Sequence, residues 1–297
     1  MPASSVFMVR PAVCYSNPQT ADSNSFQTES FAAPDIAIVC EEFDRVVGLL
    51  ESEGIDVHVY QDTAEPEKPD AIFPNNWLGI HKNGYRIYYP MEAINRRIEN
   101  NEQVRKFLDS HIPAKKIFDF SHHEESGQFL EGTGSMIFDY LNNRVFASQS
   151  SRTHKNLFME IASLLGFEPI WFKAHDINGK AYYHTNVILS IGTQYALLCT
   201  EAIEPMQRQM VLDALSHPQR SIIELSRSQV AAFAGNVLEL SNMHNERLIA
   251  ISETALNSLN ESQLAVLSRS GLLLPVSIPV IEKVGGGSIR CMLAEVY

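Results

Sequence analysis

Amphipathic segments recur along this chain at a nearly constant spacing, and this recurrence limits the folds that the chain can adopt. Five segments carry apolar residues at positions i, i+3 and i+4, the pattern of a helix with one buried face. Their starts are roughly 50–57 residues apart, close to the spacing at which structural repeats are sought. The predicted helices are Glu41–Glu53, Arg97–Ser110, His154–Leu165, Pro205–Leu215 and Ser258–Arg269.

Short runs rich in β-branched and aromatic residues separate these helices and predict strands. The runs are Ile36–Cys40, Val57–Tyr60, Arg86–Tyr89, Lys116–Phe120, Met136–Tyr140, Arg144–Ala147, Pro169–Phe172, Val187–Ile191, Tyr195–Cys199, Ile222–Leu225, Val237–Leu240, Leu248–Ile251 and Val276–Val280. Two interpretations fit this order. One is an ordinary α/β protein whose helices are evenly spaced. The other is a single domain over residues 1–297, formed by a closed ring of five ββαβ units with its site on the axis.

Composition excludes several classes of function. Lys and Arg total 23 against 35 Asp and Glu, a net charge of −12, and no basic run suggests a nucleic-acid or anionic membrane surface. No apolar stretch reaches the roughly 18 residues of a membrane helix, and the first residues contain no signal-peptide core. We therefore expect a cytoplasmic protein without nucleic-acid or membrane partners, and the acidic surface still permits a homodimer.

The cysteines and the common motifs give no sign of a metal or cofactor. Cys14, Cys40, Cys199 and Cys291 lie far apart and form no C-x-x-C pair, so a zinc cluster is not expected. The sequence contains no GxGxxG, GxxxxGK[ST] or HExxH motif. We expect neither a cofactor nor a metal site.

Cys291 is the cysteine with the most unusual surroundings. It follows Gly285-Gly286-Gly287, where the backbone can approach a ligand closely, whereas the other three cysteines end apolar runs. An isolated cysteine is more often a small core residue than a nucleophile. Beside the triple glycine, the nucleophile and the core residue are equally good interpretations of Cys291. We expect Gly286 and Gly287 to lie next to a bound substrate.

A nucleophilic thiol needs a proton acceptor and a group that orients that acceptor. His184 stands where a loop enters an apolar strand, and Glu131 lies between Leu130 and a turn of small residues. A structural histidine and a turn carboxylate that caps backbone N–H groups are the alternatives. The two residues are therefore candidates for acid–base chemistry and not assignments.

Other polar residues could face a ligand. Asn75 and Asn76 lie between aromatic residues, as an Asx turn or as amides aimed at a substrate. Arg97 and Arg152 could bind a carboxylate through two parallel hydrogen bonds, although either could equally be a surface residue. The polar stretch Gln19–Pro34 is typical of a surface loop and is our candidate for a lid.

Seven segments occur in an order that resembles the guanidino-group-modifying enzymes of the pentein superfamily. The segments are Phe73–Trp77, Pro90-Met91 with Arg96-Arg97, Glu131–Gly134, Ser151–Thr153, His184–Asn186, Phe233–Asn236 and Gly285–Cys291. The superfamily includes arginine deiminase, dimethylarginine dimethylaminohydrolase, agmatine deiminase and glycine amidinotransferase. The branch most similar to this chain is the one often labelled amidinotransferase or citrulline-utilisation hydrolase.

The resemblance implies a five-bladed α/β propeller of ββαβ repeats and a cysteine mechanism without a metal or cofactor. It implies that Cys291 attacks the central carbon of a guanidino or ureido group. His184 would protonate the leaving amine and later activate water, and Glu131 would bind substrate nitrogens and orient His184. Arg97 and Arg152 would hold the α-carboxylate of an amino-acid substrate.

Two departures from the family pattern suggest the substrate. Many relatives have an aspartate where this chain has Asn76, and another where it has Asn186. An amide offers a donor and an acceptor, which suits a neutral ureido group better than a guanidinium cation. We therefore expect a hydrolase of citrulline that releases ornithine, ammonia and CO2. An amidinotransferase, an arginine or dimethylarginine hydrolase, and a non-catalytic pentein are the alternatives.

Overall fold

The computed structural model describes residues 2–27 and 33–297, and within them the strands form five three-stranded sheets. The strands are β1 (Ser5–Arg10), β2 (Asp56–Gln61), β3 (Leu78–Ile80), β4 (Tyr85–Tyr88), β5 (Lys116–Asp119), β6 (Ile137–Asp139), β7 (Arg144–Ser148), β8 (Glu168–Phe172), β9 (Leu189–Ile191), β10 (Tyr195–Leu198), β11 (Ser221–Glu224), β12 (Leu238–Ser241), β13 (Arg247–Ser252), β14 (Leu272–Val276) and β15 (Ala294–Val296). The repeat predicted from the sequence is confirmed.

Helices connect the strands and cap the sheets. They are α1 (Ile36–Ser52), α2 (Ile94–Arg97), α3 (Glu102–His111), α4 (Gly132–Ser135), α5 (Lys155–Leu165), α6 (Arg208–Leu215), α7 (Arg227–Ala231), α8 (Glu253–Ser258), α9 (Glu261–Ser270), α10 (Pro279–Gly285) and α11 (Ile289–Met292). Within α5, Leu157, Phe158, Ile161 and Ala162 form the buried face, so the helical spacing in the sequence corresponds to real burial.

Each sheet, here called a blade, has the same topology. In the second blade β3 pairs antiparallel with β4, and β4 pairs parallel with β5 across a crossover that contains α3. A parallel pair requires such a crossover, and a helix usually supplies it. The first blade joins the two ends of the chain, because β15 pairs antiparallel with β1 and β1 pairs parallel with β2.

Shared apolar cores link the blades into a ring. One core joins the first and second blades through Phe7 and Leu78, and the next joins the second and third through Ile87 and Val145. A larger core spans the third, fourth and fifth blades, and a further core joins the fifth blade back to the first through Leu248 and Val6. These contacts close the ring, which agrees with the expected α/β propeller.

Two of the strand predictions were wrong. Ile36–Cys40 forms the start of α1, because the Asp35 side chain accepts a hydrogen bond from the Ala37 N–H and caps the helix. Val276–Val280 lies mostly outside the sheet, since β14 ends at Val276 and Pro279 opens α10. No helix among the described residues is long and apolar enough to cross a membrane.

Short helical turns lead into the inner strands and bring the candidate site residues to the centre of the ring. The turn Pro74–Asn76 precedes β3, α4 precedes β6, the turn Thr185–Val187 precedes β9, and α11 precedes β15. The α4 turn contacts both Pro74–Asn76 and Thr185–Val187, and α11 contacts Pro74–Asn76. The axis therefore collects side chains from several blades.

Candidate active site

A small cavity lies where these turns meet. Its volume is about 20 Å³, room for roughly one water molecule. Its walls include six of the residues singled out in the sequence, namely Asn76, Arg152, His184, Gly286, Gly287 and Cys291. Residues from sequence positions 76 to 291 therefore converge on one place, as expected for a site on the axis of a ring.

Glu131 and His184 form a buried pair beside this cavity. The imidazole Nε2 lies 2.7 Å from the Glu131 Oε2, and both side chains are almost completely buried. Gly134 lies against the ring, because a Cβ at this position would be 2.7 Å from the His184 Nδ1. A carboxylate that accepts from Nε2–H leaves the Nδ1 lone pair of a neutral imidazole free to accept a proton.

The charge states of this pair follow from its surroundings. Burial alone would raise the pKa of Glu131, but Arg152 and His184 outweigh it and lower that pKa from 4.5 to about 2. Burial lowers the pKa of His184 from 6.5 to about 4, although Glu131 acts in the opposite direction. Near neutral pH the resting site therefore holds an ionised Glu131 and a neutral His184.

Arg152 connects the pair to the segment above the cavity. Its Nη1 lies 3.4 Å from the Glu131 Oε2, and its Nε donates to the Ser23 hydroxyl at 3.1 Å. The guanidinium also lies over the Tyr183 ring, 4.8 Å from its centroid. The Ser23 hydroxyl is a neutral partner, so a substrate carboxylate could take its place on the Arg152 guanidinium. Binding a carboxylate is the role that we expected for Arg152.

Cys291 lies in α11, directly after the glycine segment. The amide Nδ2 of Asn236 is 3.2 Å from its Sγ, and the Nδ2 of Asn186 is 3.6 Å away. Burial raises the pKa of the Cys291 thiol above its ordinary value, and hydrogen bonds from the amides oppose that rise. The thiol is therefore protonated in the resting site and needs a base before it can attack.

The other cysteines lack such surroundings. Cys14 and Cys199 are buried in the apolar cores, where burial raises their thiol pKa values to about 12 and about 11. Cys40 is half-buried on α1, and its thiol donates to the Pro11 carbonyl. Their placement agrees with a structural role.

Asn75 and Asn76 belong to a chain of polar side chains beside the cavity, and of the two only Asn76 lines it. Asn75 donates to the Thr133 hydroxyl at 3.2 Å, and Asn76 donates to the Asn75 side chain at 2.9 Å. The Oδ1 of Asn76 accepts from the Arg96 Nη1 at 2.6 Å, and Arg96 is paired with Glu99 at 2.8 Å. The amide of Asn76 is thus held beside a buried cation.

Arg97 does not line the cavity. Its guanidinium donates to the carbonyl oxygens of Met91 and Glu92, at 3.0 Å each, and lies 3.6 Å from Glu124. The neighbouring Arg96 lines the cavity instead. The sequence shows two adjacent arginines on a short helix, and only the packing of that helix decides which of them faces inward.

The structure adds cavity residues that the sequence analysis did not single out as site residues: Thr20, Asn24, Asp70, Phe73, Arg96, Tyr183 and Gly285. Asp70 is buried, and its Oδ1 has no hydrogen-bond partner in the described part of the chain. Asp70 precedes the Phe73–Trp77 motif by three residues, so a wider search around that motif could have found it.

The candidate lid covers the cavity in its described part. Asn24 lies 3.3 Å from the carbonyl oxygens of Gly285 and Gly286, and the Tyr183 hydroxyl donates to the same Gly286 oxygen at 2.8 Å. Thr20 and Asn24 form part of the wall. Residues 28–32 of the predicted lid lie outside the described residues.

Comparisons with known proteins agree with this architecture. A sequence model described as N,N dimethylarginine dimethylhydrolase, eukaryotic, matches residues 10–297. No curated protein matches the sequence.

Solved structures share the fold at low sequence identity. The N-terminal domain of ArgZ, a cyanobacterial arginine dihydrolase, has 14% identity and a TM-score of 0.77 over 98% of this chain and 97% of that one. AgrE in complex with L-arginine has 14% identity and a TM-score of 0.78 over 99% and 40%. A dimethylarginine dimethylaminohydrolase adduct has 15% identity and a TM-score of 0.68 over 99% and 100%. The sequence model over residues 10–297 confirms the expected pentein superfamily, and these structures agree with it in fold.

Proposed function

This chain belongs to the N,N dimethylarginine dimethylhydrolase family, and from that premise and the geometry of the site we propose that it hydrolyses the ureido group of citrulline. The chain is a hydrolase that acts on carbon–nitrogen bonds other than peptide bonds. In our proposal Cys291 is the nucleophile, His184 is the acid and base, and Glu131 holds His184. The products are ornithine, ammonia and CO2.

The reaction proceeds through a covalent adduct on Cys291. His184 accepts the thiol proton at Nδ1, and the sulfur adds to the ureido carbon. The protonated imidazole then donates to the terminal nitrogen, which leaves as ammonia, so a thiocarbamate joins the substrate to Cys291. His184, neutral again, activates a water molecule that cleaves the C–S bond, and the carbamate released loses CO2 to give ornithine.

Glu131 supports both transfers of the proton. Its carboxylate accepts from the His184 Nε2 at 2.7 Å and stays ionised, so it stabilises the imidazolium that forms in each step. Buried imidazole without such a partner would be a weak base, because burial disfavours the charged form. The Glu131 carboxylate thus lowers the energy of the state in which Cys291 is a thiolate and His184 is an imidazolium.

The observation that carries the choice of substrate is the polar chain around Asn76. Its Oδ1 already accepts from Arg96, so the amide lies next to a cation where many relatives have an aspartate. On the thiol side, the amide of Asn186 stands where many relatives have the second aspartate, and Asn236 adds another amide beside the sulfur. A guanidinium placed beside these amides would lack the carboxylate partners that many relatives have there, and the loss of such a partner costs about 3–5 kcal/mol. A neutral ureido group has no such penalty.

The remaining polar groups suit an amino-acid substrate. Arg152 is the group that would bind the α-carboxylate, in exchange for its contact with Ser23. The free Oδ1 of Asp70 is an acceptor for substrate N–H groups, and the charge of this carboxylate is balanced by Arg96, 3.8 Å away. Because the cavity holds roughly one water molecule, Thr20 and Asn24 must move away before a substrate can enter.

A direct test compares ammonia release from citrulline, arginine, agmatine and methylated arginines. We expect kcat/KM for citrulline to exceed that for arginine by at least about tenfold, which is 1.4 kcal/mol of discrimination. Turnover of arginine ten times better than citrulline would overturn the choice of substrate and leave the cysteine mechanism intact. If none of these compounds releases ammonia, the proposed activity is overturned.

A single variant sharpens this test. Asn76→Asp places a carboxylate beside the reacting group, and we expect it to shift the ratio of kcat/KM toward arginine. Asn75→Asp adds the same charge one residue away, outside the cavity wall but still in contact with Asn76, and so shows whether a nearby charge is enough to shift the ratio. The name of the matching family makes methylated arginine the second candidate substrate. A higher kcat/KM of the wild-type protein for methylated arginine than for citrulline would favour this second candidate.

A further inference from the structure

The sulfur of Cys291 is held by an asparagine from the turn that enters the fifth blade. We propose that Asn236 is a positioning residue for the nucleophile, which orients the Cys291 sulfur and supplies the N–H donor that stabilises its thiolate. This inference deepens the proposed function and rests on its assignment of Cys291. Asn236 does not line the cavity, so it would act only through the sulfur.

The orientation of the Asn236 amide follows from its neighbours. The backbone N–H of Arg290, the residue before the nucleophile, donates to the Asn236 Oδ1 at 3.0 Å. This bond identifies the oxygen and so turns the NH2 group toward the Cys291 Sγ at 3.2 Å and the Asn186 carbonyl at 3.3 Å. One side chain therefore holds both the backbone and the sulfur of the nucleophile segment.

The amide fits both protonation states of the sulfur without turning. A neutral thiol can donate its S–H to the Asn236 Oδ1, 3.6 Å away, and a thiolate can accept from the Nδ2. A buried thiolate has no bulk water around it, so a fixed N–H donor replaces part of its solvation. Asn186, at 3.6 Å, is the more distant donor.

The backbone that carries Asn236 has an unusual conformation. Phe233 has a φ of 62°, in the left-handed region that bulky residues rarely occupy. Gly235 packs against the turn Thr185–Val187 so closely that a Cβ would collide with the Val187 carbonyl oxygen. Such strain persists where the surrounding structure requires it, and here it sets Asn236 against the sulfur.

Several charged or titratable groups surround the thiol, so its pKa has more than one contributor. Arg290 lies on the same helix, and Tyr183 and His184 lie on the segment that enters the fourth blade. Across the cavity stand Asp70, Arg96, Arg152 and, behind His184, Glu131. None of these groups is itself substituted when Asn236 is replaced. Asn236→Ala also removes the acceptor of the Arg290 N–H, whereas Asn236→Asp keeps an oxygen for that bond, so the two variants are compared.

The test measures the thiolate directly and needs no substrate. Wild type, Asn236→Ala and Asn236→Asp are alkylated with iodoacetamide across a range of pH, and modification of the peptide that contains Cys291 is followed by mass spectrometry. We expect the midpoint of the alkylation profile to rise by about one pH unit in Asn236→Ala, a tenfold loss of thiolate at a given pH. Asn236→Asp should raise it further, because it removes the donor and adds a negative charge.

Matched controls separate this role from general destabilisation. Asn242 is another buried asparagine of the fifth blade, and its Oδ1 accepts from the backbone of His244 and Glu246. Asn242→Ala should leave the Cys291 profile unchanged. In turnover assays, Asn236→Ala should lower kcat and change KM little.

An unchanged midpoint in folded Asn236→Ala would overturn the inference, even if Asn236→Asp showed a shift, because charge alone would then explain it. If Asn236→Ala does not fold, Asn236→Asp keeps the acceptor for the Arg290 N–H, and an unchanged midpoint in that variant would be equally decisive. The alkylation profile remains informative for a protein that hydrolyses none of the proposed substrates. Failure of the proposed function and failure of this inference are therefore distinguishable.

Discussion

Replacing Glu131 with glutamine removes the charge that faces His184 and preserves the size of the side chain. The two side chains are 2.7 Å apart, and at an effective dielectric constant of about 20 a carboxylate and an imidazolium at that distance attract by about 6 kcal/mol. Part of this attraction offsets the cost of burying both charges. Loss of one partner of a buried pair costs about 3–5 kcal/mol.

This cost applies when the imidazolium forms, because His184 is neutral in the resting site. Converted at 1.36 kcal/mol per tenfold, the expected loss in kcat for Glu131→Gln is about 150-fold to 5,000-fold. Ammonia release under saturating substrate measures kcat, and intact-mass spectrometry shows whether a Cys291 adduct accumulates.

Glu92→Gln is the matched control. Glu92 lies 3.5 Å from Arg152, as Glu131 lies 3.4 Å from it, but Glu131 is the carboxylate that contacts His184. We expect a change of less than about fivefold in kcat for this variant, because a partly exposed ion pair contributes about 1 kcal/mol or less. A folded Glu131→Gln protein that retained more than a tenth of wild-type kcat would refute the role assigned to the carboxylate.

Three further predictions concern the nucleophile, the imidazole and acid stability. Cys291→Ser should abolish turnover and leave the melting temperature within about 2 °C of wild type, since the change replaces one small buried side chain; measurable turnover would remove Cys291 from the mechanism. Gly134→Ala should lower kcat at least about tenfold, a loss of 1.4 kcal/mol, because the new Cβ would sit 2.7 Å from the His184 Nδ1; wild-type kinetics would show that the imidazole position is not critical. The contribution of His184 to the free energy of unfolding should fall as the pH drops below 6.5, because the folded His184 has a pKa of about 4 and the unfolded chain binds its proton first. The full effect of that difference is about 3 kcal/mol, and below pH 4.5 Glu131, with a folded pKa of about 2, acts in the same direction. Urea unfolding of wild type and His184→Gln at a series of pH values isolates this contribution, because Glu99, with a folded pKa of about 7, acts in the opposite direction in both proteins; parallel profiles between pH 7 and pH 4 would contradict it.

The repeat and most of its elements could be predicted from the sequence because they depend on local pattern. A helix that packs on a sheet must carry apolar residues every three to four positions, and Leu157, Phe158 and Ile161 show this spacing. The local surroundings of Cys291, His184 and Glu131 made them candidates, and the order of the motifs, through the resemblance to the pentein enzymes, predicted their roles. The structure brings Glu131 and His184 into contact, as the mechanism inferred from the resemblance requires.

Ambiguous local patterns were decided by tertiary contacts. The run Ile36–Cys40 is apolar and β-branched enough for a strand, yet it begins α1 because Asp35 caps it and α10 packs against the helix. Arg96 and Arg97 differ by about 100° around their short helix. Only the packing of that helix turns Arg96 toward Asn76 and Arg97 toward the Met91 carbonyl.

The surroundings of the sulfur depend wholly on the tertiary structure. The sequence by itself indicated a thiol after three glycines, but its partners Asn186 and Asn236 lie 105 and 55 residues away along the chain. No local pattern can report a contact over such a separation, because the contact exists only once the blades close into a ring. The sequence therefore indicated the candidate reactive residues, and ring closure decided which side chains surround them, since burial and hydrogen bonding arise only between elements that pack together.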